Sequence, residues 1–370
     1  MFIIITLFFY GCNTDLKEKK TLLFVGSFTD KKPGEGIHVY EFNKETAETK
    51  LTFTLNNITN TSFLKISKDG NYLYSVVDSQ MKYNGKVAAF KIDVSNSKIN
   101  LLNMQDCGGL NPAHLEIDKT GGFLINSNYS DGSLSLFKIK SDGSISLAKQ
   151  ILQFKDSSVI KSRQEASHIH SSNFSPGNRY VFAHDLGADK IRKFGFDKKN
   201  NSLINKSEIK TKLGSGPRHF TFHPNKLYGY GINELSGKIN LYSYDEGSLN
   251  FIEDYQSYQQ KQEIYTAADI HISDDGKFLY ASNRGSEENS IVVFSINKNN
   301  GKLQLIEHVD TAGNHPRNFA ISKEGNFLLV ANQFTNNITI FKRNTKTGSL
   351  TKLPNQIIVN SPSSIQLKSY

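Results

Sequence analysis

Short apolar strands alternate with polar turns along the chain, and the alternation itself repeats. Turns at Asp69-Gly70, Gly121-Gly122, Pro176-Gly177, Pro224-Asn225, Asp275-Gly276 and Glu324-Gly325 stand about fifty residues apart, the spacing of propellers and solenoids. Each follows an apolar strand and precedes an aromatic-rich one: NYLYSVV, GFLINSN, RYVFAHD, LYGYGIN, KFLYASN and NFLLVAN. A third strand then alternates with period two, as in GKVAAFKID, GSLSLFKIK, GKINLYSYD and NSIVVFSIN. A fourth follows a Gly or Asn turn, as in GSISLAKQILQF and GKLQLIEHVD. Four antiparallel strands per repeat with no helical period predict an all-β propeller.

The ends of the chain predict how the ring closes. TLLFVGSFT, GIHVYEFN and KLTFTL supply three strands of a first blade, with no inner strand upstream. SPSSIQLKS, from Ser361, has the inner-strand pattern and no blade after it. The C-terminal strand is therefore expected to complete the N-terminal blade, giving seven blades and no open edge. The chain has no Trp, so no WD-repeat dipeptide is present.

Composition adds little to this and removes several function classes. The net charge of +9 comes from lysines scattered through turns, without a basic run interleaved with aromatics, so no nucleic-acid partner is expected. Two cysteines cannot make a disulfide framework, and Cys107 reads as a small buried residue in a strand-end turn. Cys12 closes the segment MFIIITLFFYGC, which resembles a bacterial lipoprotein signal although no Lys or Arg precedes the apolar run. On that reading residues 1–20 are signal and tether and residues 21–370 the propeller. The domain would then sit in the cell envelope, held to the membrane only by lipid on Cys12. Read otherwise, the segment is an apolar tail or follows from a misassigned start codon, and the protein is cytoplasmic.

Candidate chemistry comes from where the copies differ. The start of the inner strand and the end of the second strand lie on one face of a propeller, beside the central channel. Aligning the inner strands gives Ser62, Ala113, His170, Arg218, Ala268, Arg317 and Ser363. Aligning the ends of the second strands gives Phe28, Asp78, Tyr129, Leu186, Glu234, Arg284 and Gln333. A purely structural position would repeat one residue class, as the strand cores do. Here blades four to seven bring His170, Arg218, Glu234, Arg284 and Arg317 to one mouth. Guanidinium forks suit carboxylate or phosphate, so a small anionic ligand is expected. His170 and Glu234 are the candidate proton-transfer groups.

Around them stand secondary candidates. The stretch RQEASHIHSSNFSPGNRYVFAHDLGAD, from Arg163, places Arg163, Glu165 and His168 beside His170, as supports or as a polar loop. Asp185 and Asp189 read equally as turn and strand-end hydrogen-bonders, and Asp269 and Asn283 as supports of the site. His219 follows Arg218 directly, so strand alternation expects it to point away into the core. His168 and His170 alternate in a way that would let both face one side of a strand, but no third ligand is evident, so no metal site is expected. A Gly-rich phosphate loop, a GxSxG elbow and a nucleophilic Cys setting are all missing from the sequence.

The strings RQEASHIHSSNFSPGNRYVFAHDLGADK, GSGPRHFTFHP, INELSGKINLY, HISDDGKFLYASNRG and GNHPRNFAIS resemble the lactonase family of seven-bladed propellers, from about Leu22 to the C-terminus. That family includes propeller-type 6-phosphogluconolactonases and carboxymuconate cyclases. The resemblance implies a ring of four-stranded blades, no cofactor, and site residues at His170, Arg218, Glu234 and Arg284. Asp269 departs from it, since the family usually has Glu there. A lactonase acting on 6-phosphogluconolactone is the leading expectation. A carboxymuconate-type cycloisomerase and a non-catalytic, envelope-tethered binding propeller are the alternatives. Turnover of phosphogluconolactone against carboxymuconate separates the enzymes, and binding without turnover marks the third.

Overall fold

The computed structural model describes residues 20–370, and Cys12 with most of the predicted tether lies outside them. Among the described residues there are 28 strands and no helix, grouped in seven four-stranded antiparallel sheets. Six sheets are built from consecutive strands. The seventh joins the two ends of the chain: Pro362–Ser369 pairs with Thr21–Ser27, Ile365 opposite Val25, and the order continues through Ile37–Phe42 to Thr49–Leu55. Closure by the C-terminal strand is as the sequence predicts.

A blade lies between two neighbours, so both faces of its second strand are covered. That is why these strands read as unbroken apolar runs rather than as alternations. Phe278–Asn283 and Phe327–Asn332 are buried at every position. Leu22 and Phe24 point to the following blade, while Leu23 and Val25 point back to the last one. A closed ring of seven blades has seven interfaces, and seven apolar clusters fill them. The outer strands face water along one side; Ser202–Lys210 is largely exposed. Hydrogen bonds staple neighbouring blades as well. Tyr74, Tyr230 and Tyr280 donate to the carbonyls of Gly143, Gly301 and Gly348 in hairpins of the next blade, at 3.0, 2.6 and 2.7 Å.

Two details differ from the sequence expectation. The outer strand of the third blade spans only Gln150–Gln153, because the stretch from Ser144 is held by a single Ile139–Ile145 bridge. Cys107 lies inside the strand Lys98–Leu110 rather than in a turn, and burial pushes its thiol up to about 12.

Candidate active site

The backbone at the channel mouth has a feature that alternation rules do not anticipate. In the fourth blade Ile169 pairs with Asp185 and Ser171 with His184, so His170 is skipped. Arg218 and Arg317 are skipped in the same way in the fifth and seventh blades, and Ala113 in the third. A β-bulge therefore recurs at the second residue of the inner strand. It removes that residue from the ladder and re-aims its side chain into the channel. From the other side, Tyr129, Glu234 and Arg284 each stand one residue beyond the end of a second strand.

These groups enclose a cavity of about 280 Å³, close to the lower end of the range for small-molecule sites. Glu234 is at its centre, 4% exposed. Its Oε2 accepts from Arg218 Nη1 at 2.5 Å and Arg284 Nη2 at 3.1 Å, and its Oε1 accepts from Arg163 Nη2. Arg218 Nη1 also donates to His170 Nε2, and its Nε is tied to the Ala268 carbonyl at 2.9 Å. Arg284 is held by the Thr266 carbonyl at 2.7 Å and by His315 Nε2 at 3.0 Å. Arg317 lies over the Phe28 ring, 5.1 Å from its centroid, and has no hydrogen-bond acceptor among the described residues. The lining thus carries four guanidinium groups against one carboxylate.

That imbalance sets the protonation states. Burial pushes the Glu234 carboxyl up, but Arg218, Arg284 and Arg163 outweigh it and hold the group well below the carboxylate range. Burial, then the neighbouring Arg218, keeps the His170 imidazole neutral far below the usual histidine value. Burial and Arg218 lower Arg284 to about 10, and the same causes with Arg284 act on Arg317. The site is a neutral imidazole and an anchored carboxylate in an excess of positive charge.

The Lactonase, 7-bladed beta-propeller profile matches residues 22–367. The chain belongs to the seven-bladed β-propeller lactonase family. A 6-phosphogluconolactonase of Formosa agariphila is 56% identical over 94% of this lactonase and 99% of its own length. A 6-phosphogluconolactonase of Bacillus subtilis is 33% identical, covering 93% and 97%. Among solved structures, the periplasmic gluconolactonase of Pseudomonas aeruginosa superposes with a TM-score of 0.88 at 28% identity, covering 95% of this lactonase and 99% of that chain.

Of the residues singled out from the sequence, His170, Arg218, Glu234, Arg284, Arg317 and Arg163 line the lactonase cavity. Four others do not. His168 stacks on Tyr129 from behind, with centroids 4.5 Å apart, and bonds the Tyr129 carbonyl at 2.8 Å. Glu165 is mostly exposed and, among the described residues, reaches only His168, at 3.2 Å. Asp185 is fully buried inside the fourth blade, where Arg192 and the His168 amide saturate it. Asp269 lies below the mouth, bonded to His219 Nδ1 at 2.8 Å and His271 Nε2 at 2.9 Å. Asp189 pins the turn before Arg218 by accepting from the Gly214 and Gly216 amides at 2.6 and 2.7 Å. Asn283 bonds Ser257 and Ser290.

His219 does not enter the core, because the bulge cancels the alternation and it faces the channel beneath Arg218. Sequence reasoning also passed over His315, which lines the cavity at φ +63°. The residues before the inner-strand prolines of three other blades, Asn111, Gly216 and Ser361, share this left-handed turn. A histidine among small turn-formers was the available signal. Among the described residues no three His, Cys, Asp or Glu side chains are arranged to hold a metal ion.

Proposed function

We propose that this lactonase hydrolyses a sugar-acid lactone bearing an anionic group, with 6-phosphogluconolactone as the substrate its named relatives support. The single observation that carries the reading is the excess of guanidinium groups around a neutral imidazole. Arg317, with no acceptor of its own among the described residues, takes the phosphate or carboxylate of the substrate. Arg218 and Arg284, fixed by backbone carbonyls, face the lactone carbonyl and stabilise the charge that develops on its oxygen. Tyr129 supplies an aromatic wall.

His170 is the proton acceptor in this scheme. Arg218 can only donate, so His170 Nε2 holds a lone pair; Arg218 occupies it in the free enzyme and yields it to the attacking water on turning to the lactone carbonyl. Water adds to the carbonyl carbon as His170 takes its proton. The tetrahedral intermediate then collapses, the ring C–O bond breaks, and the proton returns to the ring oxygen. Glu234 is too strongly held in its ionised form to be the base; it anchors Arg163, Arg218 and Arg284 against their mutual repulsion.

Hydrolysis of phosphorylated and unphosphorylated gluconolactone by the purified chain, corrected for spontaneous opening, tests the reading. Turnover that disappears in Arg284→Ala supports it, and no turnover of either lactone rejects it. Preference for the unphosphorylated lactone would favour an envelope location, in keeping with the resemblance of MFIIITLFFYGC to a lipoprotein signal. Preference for the phosphorylated one would favour the cytoplasm.

A further inference from the structure

Beneath the arginines, the channel floor holds buried ionisable groups that the scheme above does not use. With Nε2 accepting from Arg218, neutral His170 carries its proton on Nδ1. That Nδ1 is buried and has no hydrogen-bond partner among the described residues. His219 is in the complementary state. Its Nδ1 donates to the Asp269 carboxylate at 2.8 Å, which leaves a lone pair on Nε2. That Nε2 is likewise buried and without a partner. The two rings are 5.1 Å apart between centroids, and both line a cavity of about 10 Å³ under Arg218 and Arg317. This is the space of one water molecule, and the site offers one donor and one acceptor for it.

We infer that the channel floor is a proton-shift relay in which one buried water joins His170 Nδ1 to the His219–Asp269 pair. The inference rests on the lactonase reading with His170 as proton acceptor. Asp269 is fixed by His271 Nε2 at 2.9 Å, Asn318 Nδ2 at 2.5 Å and the Ile270 amide at 3.0 Å. Burial pushes its carboxyl up, but His271 and His219 outweigh this and keep it ionised. The charged and titratable groups facing His219 are Arg218, Arg317, His114, His170, His184, His271 and Asp269, and Asp269 is the single anion in that set.

The relay solves an electrostatic problem at the mouth. A proton accepted on His170 Nε2 would create an imidazolium among four guanidinium groups. As that N–H bond forms, the Nδ1 proton passes to the buried water, which gives one of its own protons to His219 Nε2. The positive charge then rests on an imidazole paired with Asp269, whose carboxylate offsets the nearby Arg218, whereas His170 has no such anion bonded to it. When the ring oxygen leaves and needs a proton, the shift reverses, so nothing is consumed. His219 and Asp269 are positioning residues, since neither touches the substrate.

Proton inventory in mixed light and heavy water tests this on the wild-type chain. The relay moves three protons in one step, from the attacking water, from His170 Nδ1 and from the buried water, and gives a curved inventory of kcat. His219→Gln and Asp269→Asn are expected to lower kcat on the order of a hundredfold, leave KM unchanged and give a linear inventory. Asp269→Asn does so by reversing the His219 tautomer. A linear wild-type inventory, or His219→Gln with undiminished kcat, overturns the relay and leaves the lactonase reading intact. No lactone turnover by the wild-type chain overturns the reading itself and the relay with it.

Discussion

Two buried arginine networks lie on this propeller, and their stoichiometries are opposite. In the fourth blade Arg192, 4% exposed, contacts Asp185 through Nε at 3.0 Å and Nη2 at 2.7 Å, Glu208 at 2.6 Å, and Asp156. Lys190 completes that network, at 3.1 Å from Asp156 and 2.8 Å from Glu208. Two cations meet three carboxylates and every fork is occupied. At the channel mouth three of the four guanidinium groups share the one carboxylate of Glu234, and the fourth, Arg317, has only an aromatic face. Burying a charge is costly unless it is paired, so the first arrangement is complete as it stands, and the second is completed by a ligand. Burial does not separate a structural arginine from a functional one here. Charge balance does.

The largest expected effects break each network at its centre. Removing one partner of a buried ion pair costs about 3–5 kcal/mol. Arg192→Met should lower stability by that amount in denaturant unfolding, yet leave kcat/KM per folded molecule unchanged. Glu234→Gln should lose comparable stability, because Arg163, Arg218 and Arg284 then repel one another without compensation. That loss should be partly recovered in inorganic phosphate, whereas the loss in Arg192→Met should not. Equal phosphate responses in the two variants would erase the distinction drawn between the networks.

Next in size is catalysis. Arg284→Ala should lower kcat by about 10²–10³, as expected when a preorganised donor to a developing oxyanion is removed. The stability of this variant should stay near that of the wild type, since Glu234 keeps Arg163 and Arg218. Arg317→Leu carries the opposite sign for stability. Burial and the nearby Arg218 and Arg284 already disfavour its charge, so its removal should raise unfolding stability by about 0.5–2 kcal/mol while KM for the anionic lactone rises. A lower Tm in Arg317→Leu would show that this guanidinium is paired in the free protein after all.

Much of this comparison is legible in the sequence alone, for a reason tied to repetition. Seven copies of one backbone make each blade a control for the others, so His170, Arg218, Glu234, Arg284 and Arg317 stood out against Ser62, Ala113 and Phe28 at matching positions. The limits were physical as well. Asp185 looked available because its partner Arg192 is shared with Asp156 and Glu208 from separate segments, and only folding shows the set is closed. His219 was directed to the core because the bulge at Arg218 is a skipped ladder pair, which has no residue signature of its own. Asp78, a second acid on the mouth ring, is neutralised by Lys86 at 2.8 Å from the neighbouring strand.

The smallest expected effect is an absence of change, and it separates the two proton-transfer candidates. His170 acts as a base only when neutral, and burial with Arg218 lowers its value well below 6.5. As pH falls through 6.5, an ordinary histidine would protonate and activity would drop, whereas His170 stays neutral. The acid limb of kcat/KM, measured with the unphosphorylated lactone so that the substrate itself does not titrate, should therefore lie clearly below 6.5. Glu234→Gln sharpens the assignment. Losing the central carboxylate leaves Arg218 and Arg284 uncompensated beside His170, so the imidazole becomes still harder to protonate and the limb moves further down. Were Glu234 the base instead, the variant would lose the limb altogether along with its activity. A wild-type limb at or above 6.5 would mean that the group taking the proton is not shielded by these arginines, and His170 would have to give up the role.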